Sequence, residues 1–177
     1  LELTATWAPW SALEALERIR AISTPWLGTD TGWLSQPDGH VPPGTAVVLF
    51  ATLEDRLVTW VIRDDGRWAV SGPSPRAPLR TAVERLGRVA QGGAPLDDVG
   101  EAAEIVSRML LPDTVLTLIA DRDVVLIPDA TLSGTPFGLL RAEGEWWIEH
   151  RAVAVSPSLA LALAPPRPTM SESMGLL

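Results

Sequence analysis

Cysteine, lysine and tyrosine are all absent from these 177 residues. Without cysteine there is no thiolate nucleophile, no disulfide and no sulfur ligand for zinc. Without lysine there is no P-loop lysine, no Schiff base and no Ser-x-x-Lys pair. All 14 basic residues are therefore Arg, which with abundant Ala, Gly and Pro fits a GC-rich genome. The sequence also lacks any apolar run near the ~20 residues that span a bilayer. Its first residues, LELTATWAPWSALEALERIR, contain neither a basic stretch nor an apolar one of the secretory kind. The expectation is a soluble, cytoplasmic protein.

What is present suits an α/β globule. Hydrophobic residues make up 46% and charged residues 20% of the chain, enough to build a core. The net charge of −8 and pI near 4.7 oppose a broad grip on phosphate backbones, so neither nucleic acid nor a membrane is expected as a direct partner. The chain does not begin with Met and its last stretch, APPRPTMSESMGLL, reads as a linker or processed tail, so both ends look cut.

Ser11 and Glu14 have capping-box spacing, and Leu13, Leu16, Ile19 and Ile22 recur at helical intervals, which predicts an amphipathic helix over 11–22. Trp7 and Trp10 precede it as aromatic anchors. Residues 23–43 are rich in Pro, Gly, Ser and Thr and read as a connection pinned by Trp26 and Trp33. The main domain then occupies 44–164. It opens with β-rich runs at 45–52 and 57–63 and a third at 68–71, preceded by the Asp64-Asp65-Gly66 turn, so an antiparallel meander is expected. Leu79, Ala82, Val83, Leu86, Val89 and Ala90 form one helical stripe, stopped by Gly92 and Gly93. A second helix, capped by Asp97 or Asp98, carries Val99, Ala102, Ile105, Val106, Met109 and Leu110 and ends at Pro112. A shorter helix covers 114–120. Val124 to Pro128 then reads as a central strand buried on both faces, and 152–155 as another strand. Ser156 as cap with Pro157 at the first helical position starts a final helix to about Leu163. The fold class is α/β: a mixed sheet with the meander at its start, a central buried strand and helices packed on it.

No residue stands out as a catalyst. His40 lies in a Pro-rich loop and His150 beside Arg151 at a strand edge, and no Cys completes a zinc set. Ser133 and Ser156 lack a Gly-x-Ser-x-Gly elbow, and Ser156 reads as a cap. Asp64 with Asp65, and Asp97 with Asp98, are turn and cap pairs. Asp129 follows the buried strand, where open α/β sheets place functional groups, but Asp after Pro also forms Asx turns, which is the favoured reading. Adjacent Trp146 and Trp147 must face opposite ways in a strand, one into the core and the other toward a contact surface. No catalytic, cofactor-binding or metal-binding residue is assigned, and no cofactor is expected.

The ordered run from VPPGTAVVLF at Val41, through VVLIPDATL and TPFGLL, to WWIEHRAVAVSPSLA resembles the first half of a CHAT domain, the bacterial caspase-like and separase-like cysteine peptidase module. The resemblance covers about Val41 to Leu163. Ala130 stands where that family usually has Gly, and Phe50 where it often has Tyr. It implies a caspase-like fold in which this part is the non-catalytic, pseudo-caspase-like half. It further implies that a catalytic His and Cys follow C-terminal to Leu177. The implied partners are the catalytic half of the same protease, a protein substrate and an upstream tetratricopeptide-like helical array that ends with the helix at 11–22. The alternative is a regulatory or protein-binding pseudo-protease module with no activity of its own.

Overall fold

The computed structural model describes residues 8–23, 40–142 and 144–163. Trp7, Trp26, Trp33, most of the 23–43 connection and the tail at 165–177 lie outside the described residues. Among the described residues, seven strands and five α-helices run in the order α1 (Pro9–Ser23), β1 (Thr45–Thr52), β2 (Leu57–Arg63), β3 (Gly66–Gly72), α2 (Arg76–Gln91), α3 (Leu96–Leu110), α4 (Asp113–Leu118), β4 (Asp123–Ile127), β5 (Arg141–Ala142), β6 (Glu145–Trp146), β7 (Val153–Val155) and α5 (Leu159–Ala162). Five strands make one mixed sheet in the order β3-β2-β1-β4-β7, while β5 and β6 form a separate two-residue hairpin. The meander pairs β1 with β2 and β2 with β3 antiparallel, and β4 lies parallel to both β1 and β7. The α/β class and mixed sheet are as the sequence predicts.

Strand parity explains why the runs AVVLFA and VVLI are apolar throughout. Ala46, Val48 and Phe50 of β1 join Val124 and Leu126 of β4 on one face, packed against α2, α3 and α4. Val47 and Leu49 join Ile127 on the other, packed against Leu13 of α1 and Leu159 of α5. A strand covered on both sides needs no polar alternation. Around α2, Leu79, Val83 and Leu86 are buried, matching the predicted stripe.

Several local expectations change. The first helix begins at Pro9, so Ser11 sits inside it and caps nothing. Its buried face carries Glu17, 3% exposed, while Ile19 of the predicted stripe is 63% exposed. The cap of α3 is Pro95, and Asp97 and Asp98 occupy its first turn instead, where carboxylates favour the helix dipole. The last helix is capped by Ser158, whose side chain accepts from Leu161 N, not by Ser156. Ser156 stays extended because its backbone N–H still donates to Leu126 O as a continuation of the β4–β7 ladder. Among the described residues no helix is long and apolar enough to cross a membrane.

Candidate functional site

In an open α/β sheet the ligand position is set by topology: it lies outside the carboxyl ends of the parallel strands, where strand order reverses. Here the chain builds outward from β1 through β2 to β3, then returns to β4 and proceeds to β7 on the other side, so the reversal falls between β1 and β4. At that point the protein has placed its own anion. Asp129, just past β4, accepts from Thr52 N at the end of β1 through Oδ2, and through Oδ1 from Thr131 N at 2.9 Å and Leu132 N at 3.2 Å. Two further cations close over the same edge: Arg76 donates to Thr52 O at 2.8 Å and Arg20 to Pro128 O at 3.2 Å. The Asx turn predicted for Asp129 is present, and its second oxygen does more by tying two strand ends together.

Beside this clasp, between the ends of β4 and β7, lies an open crevice of about 440 Å³ lined by Asp129, Ser133, Thr135, Phe137, Val155 and Ser156. Phe137 and Thr135 are buried, and Thr135 Oγ1 has no partner. Gly134, at φ +86°, turns the chain back over the crevice, a conformation that costs a side-chain-bearing residue strain. Ser156 is 6% exposed and donates to Ser158 O at 2.9 Å. Ser133 is exposed, and the carboxylate that shares the crevice with it, Asp129, is engaged by three backbone N–H groups.

The two histidines are elsewhere. His40 is exposed just before β1. His150 is also exposed and lies 2.7 Å from Glu145, on the wall of a different cavity. Neither histidine lines the crevice with Ser133 and Ser156. Asp64 pairs with Arg122 at 2.8 Å, and Asp65 with Arg63, whose hydrogen bond holds the Asp65 carboxyl below its ordinary pKa. Among the described residues there is no group of three or more His, Cys, Asp or Glu arranged to hold a metal ion. Of the adjacent tryptophans, Trp147 is 2% exposed in the core as expected of one of the pair, while Trp146 is half-buried against the same core under the Arg141 guanidinium at 4.8 Å. Trp147, however, begins a 3-10 turn, so strand alternation is not what separates the two.

No family model matches the chain. Among curated proteins it is 40% identical over 76 residues to ribosomal RNA small subunit methyltransferase H of Synechococcus sp. (strain JA-3-3Ab), a match covering 43% of this chain and 21% of that protein. It is 42% identical over 73 residues to the protein of the same name from Synechococcus sp. (strain JA-2-3B'a(2-13)), covering 41% of this chain and 19% of the relative. The matched segment thus spans about a fifth of the length of these curated relatives.

These matches correct the functional expectation drawn from the sequence. The similarity found is to proteins named as ribosomal RNA methyltransferases, and not to the scaffold half of a caspase-like cysteine endopeptidase or to a pseudo-protease regulatory module. The terms that went with that expectation, cysteine peptidase, hydrolase and proteolysis, fall with it. The physical reason the run from Val124 to Leu161 misled is visible in its residues. Pro128-Asp129, Pro136-Phe137 and Ser156-Pro157 each do local structural work, as a strand clasp, a turn with a buried ring and the end of a strand ladder. Any α/β sheet needs such devices, so their order constrains fold more than chemistry.

Proposed function

We propose that this chain is an accessory α/β module of a methyltransferase-type protein that acts in the cytoplasm on ribosomal RNA, and that the methyl-transfer centre is not within it. The observation that carries the reading is the partial match to two ribosomal RNA small subunit methyltransferases H, confined to about a fifth of each relative. The geometry supports the accessory role. Where the first strand of a nucleotide-type site leads through a Gly-rich turn into a helix, β1 leads into a tight turn, with Leu53 N donating to Arg56 O at 2.8 Å, and back along β2. The strand-order reversal is closed by Asp129, whose carboxylate already occupies the backbone N–H groups of Thr52, Thr131 and Leu132 that an anionic ligand would need. With a net charge of −8, the module itself contributes little grip on RNA, so it serves to position its neighbours.

A labelled methyl donor and purified small ribosomal subunits test this. The full-length gene product is expected to label the RNA, and the 177-residue chain alone is expected not to. Label transferred by the chain alone overturns the accessory role; no label from the full-length product overturns the methyltransferase link.

The resemblance to the first half of a CHAT domain is retained as a proposal of fold kinship only, with no protease role attached. Its support is the ordered run of motifs from Val41 to Leu163. Superposing an experimental structure of the chain on CHAT domains tests it, and a different strand order there would remove it.

A further inference from the structure

A second cavity, sharing no lining residue with the crevice, lies between α4 and the segment running from β6 to Arg151. Its volume is about 470 Å³, within the ~300–1,000 Å³ range of small-molecule sites. Two side chains in its wall have hydrogen-bond donors with nothing to donate to. Trp147 is 2% exposed and its indole Nε1–H has no partner. Arg151 stacks over the Trp147 ring at 5.2 Å and donates through Nη1 to Ile119 O at 2.8 Å, yet its Nε–H is also unpartnered. Indole and guanidinium nitrogens can only donate, so an acceptor alone satisfies them. A buried donor left without one costs the fold about 1–3 kcal/mol. The rest of the wall has the opposite character: the carboxylates of Asp113, Asp121 and Glu145 are all exposed there, with His150 2.7 Å from Glu145. Donors buried behind the wall and carboxylates at the rim together suit a molecule that carries an acceptor at one end and a cation at the other.

We propose that this cavity binds a small zwitterion, an α-amino acid or dipeptide, with its carboxylate received by Trp147 and Arg151 and its ammonium attracted to the acidic rim that carries Asp113, Asp121 and Glu145. The two donors are sealed from solvent, so a bound carboxylate must part the wall to reach them. Buried reporters therefore separate specific binding from loose association at the rim.

The probe is L-alanyl-L-alanine, titrated into the isotope-labelled full chain and read by tryptophan indole and histidine imidazole resonances. Of the eight tryptophans, Trp147→Phe identifies the indole signal of Trp147. The expected result is a saturable shift of that signal at millimolar dipeptide, lost when the dipeptide is N-acetylated or C-amidated. Should Trp147→Phe fail to fold, Asp121→Asn with Glu145→Gln, both at the exposed rim, is expected to weaken binding about tenfold, the scale of one lost charge-assisted contact. Movement of His150 signals with no change at any indole, or equal binding by the capped dipeptides, overturns the proposal.

Discussion

Replacing Asp129 with Ala deprives three backbone N–H groups, those of Thr52, Thr131 and Leu132, of their acceptor at once. Hydrogen bonds to a charged group contribute about 1.5–3 kcal/mol, so Asp129→Ala is expected to lower the unfolding free energy by about 2–3 kcal/mol in urea titrations. Asp129→Asn retains one acceptor oxygen and should lose less; equal stability of wild type and Asp129→Ala would show that the clasp contributes nothing. Half of this residue's role is legible in the sequence, because an Asx turn is local chemistry between neighbours. The other half is not: Thr52 is 77 positions away, and only the parallel pairing of β1 with β4 brings its N–H within reach. The exposed pair of Asp65 and Arg63 gives a weaker, pH-dependent case. Arg63's hydrogen bond depresses the Asp65 pKa, so its contribution is present above the unfolded carboxylate value and lost as pH falls through the folded one. The stability gap between wild type and Asp65→Asn is accordingly expected to be small near neutrality and to close in strong acid; a gap that widens on acidification would contradict this sign.

At the scale of the element, α1 shows where helical periodicity misleads. The stripe of Leu13, Leu16 and Ile19 predicts a purely apolar contact, and Leu13 does enter the core. The helix is nevertheless rotated so that Glu17 faces inward, because the N-terminus of α5 presents an unpaired backbone donor: Leu159 N donates to Glu17 Oε2 at 2.8 Å, and Arg20 pairs with Oε1 at 2.6 Å. A four-residue helix cannot be foreseen as the partner of a carboxylate 142 positions earlier. Arg20 passes the contact on to Pro128 O, and Trp60 Nε1 donates to Pro9 O at 2.9 Å, so polar bonds hold both ends of α1. Removing one partner of a buried ion pair typically costs about 3–5 kcal/mol. Glu17→Ala is expected at the upper part of that range, since it also orphans Leu159 N, and Glu17→Gln below it. Circular dichroism should show loss of helix in proportion to α1 if that element detaches; an unchanged spectrum with full loss of stability would mean that α1 stays docked and the strain is borne elsewhere.

Across the whole molecule, two cores share one sheet. The strands are readable from the sequence because residues 46–51 of β1 and 124–127 of β4 are continuous apolar runs, as burial on both faces requires. What the sequence does not encode locally is that, among the described residues, the two coverings are unequal. One face carries the whole of α2, α3 and α4 with buried residues along each. The other carries α1 and the single turn of α5, and among the described residues its cluster takes in only Leu13 and Leu159 as buried helical residues. Local opening free energy follows buried apolar contact, so the α1 side should open first. Native-state hydrogen exchange is expected to show amides of α1 exchanging through an opening well below the global free energy, while those of β1, β4 and α3 exchange only by complete unfolding. Leu126→Ala, on the heavily covered face, should lower the global value by about 2–5 kcal/mol and leave the α1 opening nearly unchanged. Glu17→Ala should do the reverse, accelerating α1 first. If α1 instead exchanges in step with the strands, the molecule is one cooperative unit, and the ion pair joining α1 to α5 is strong enough to make the thin side of the sheet as durable as the thick one.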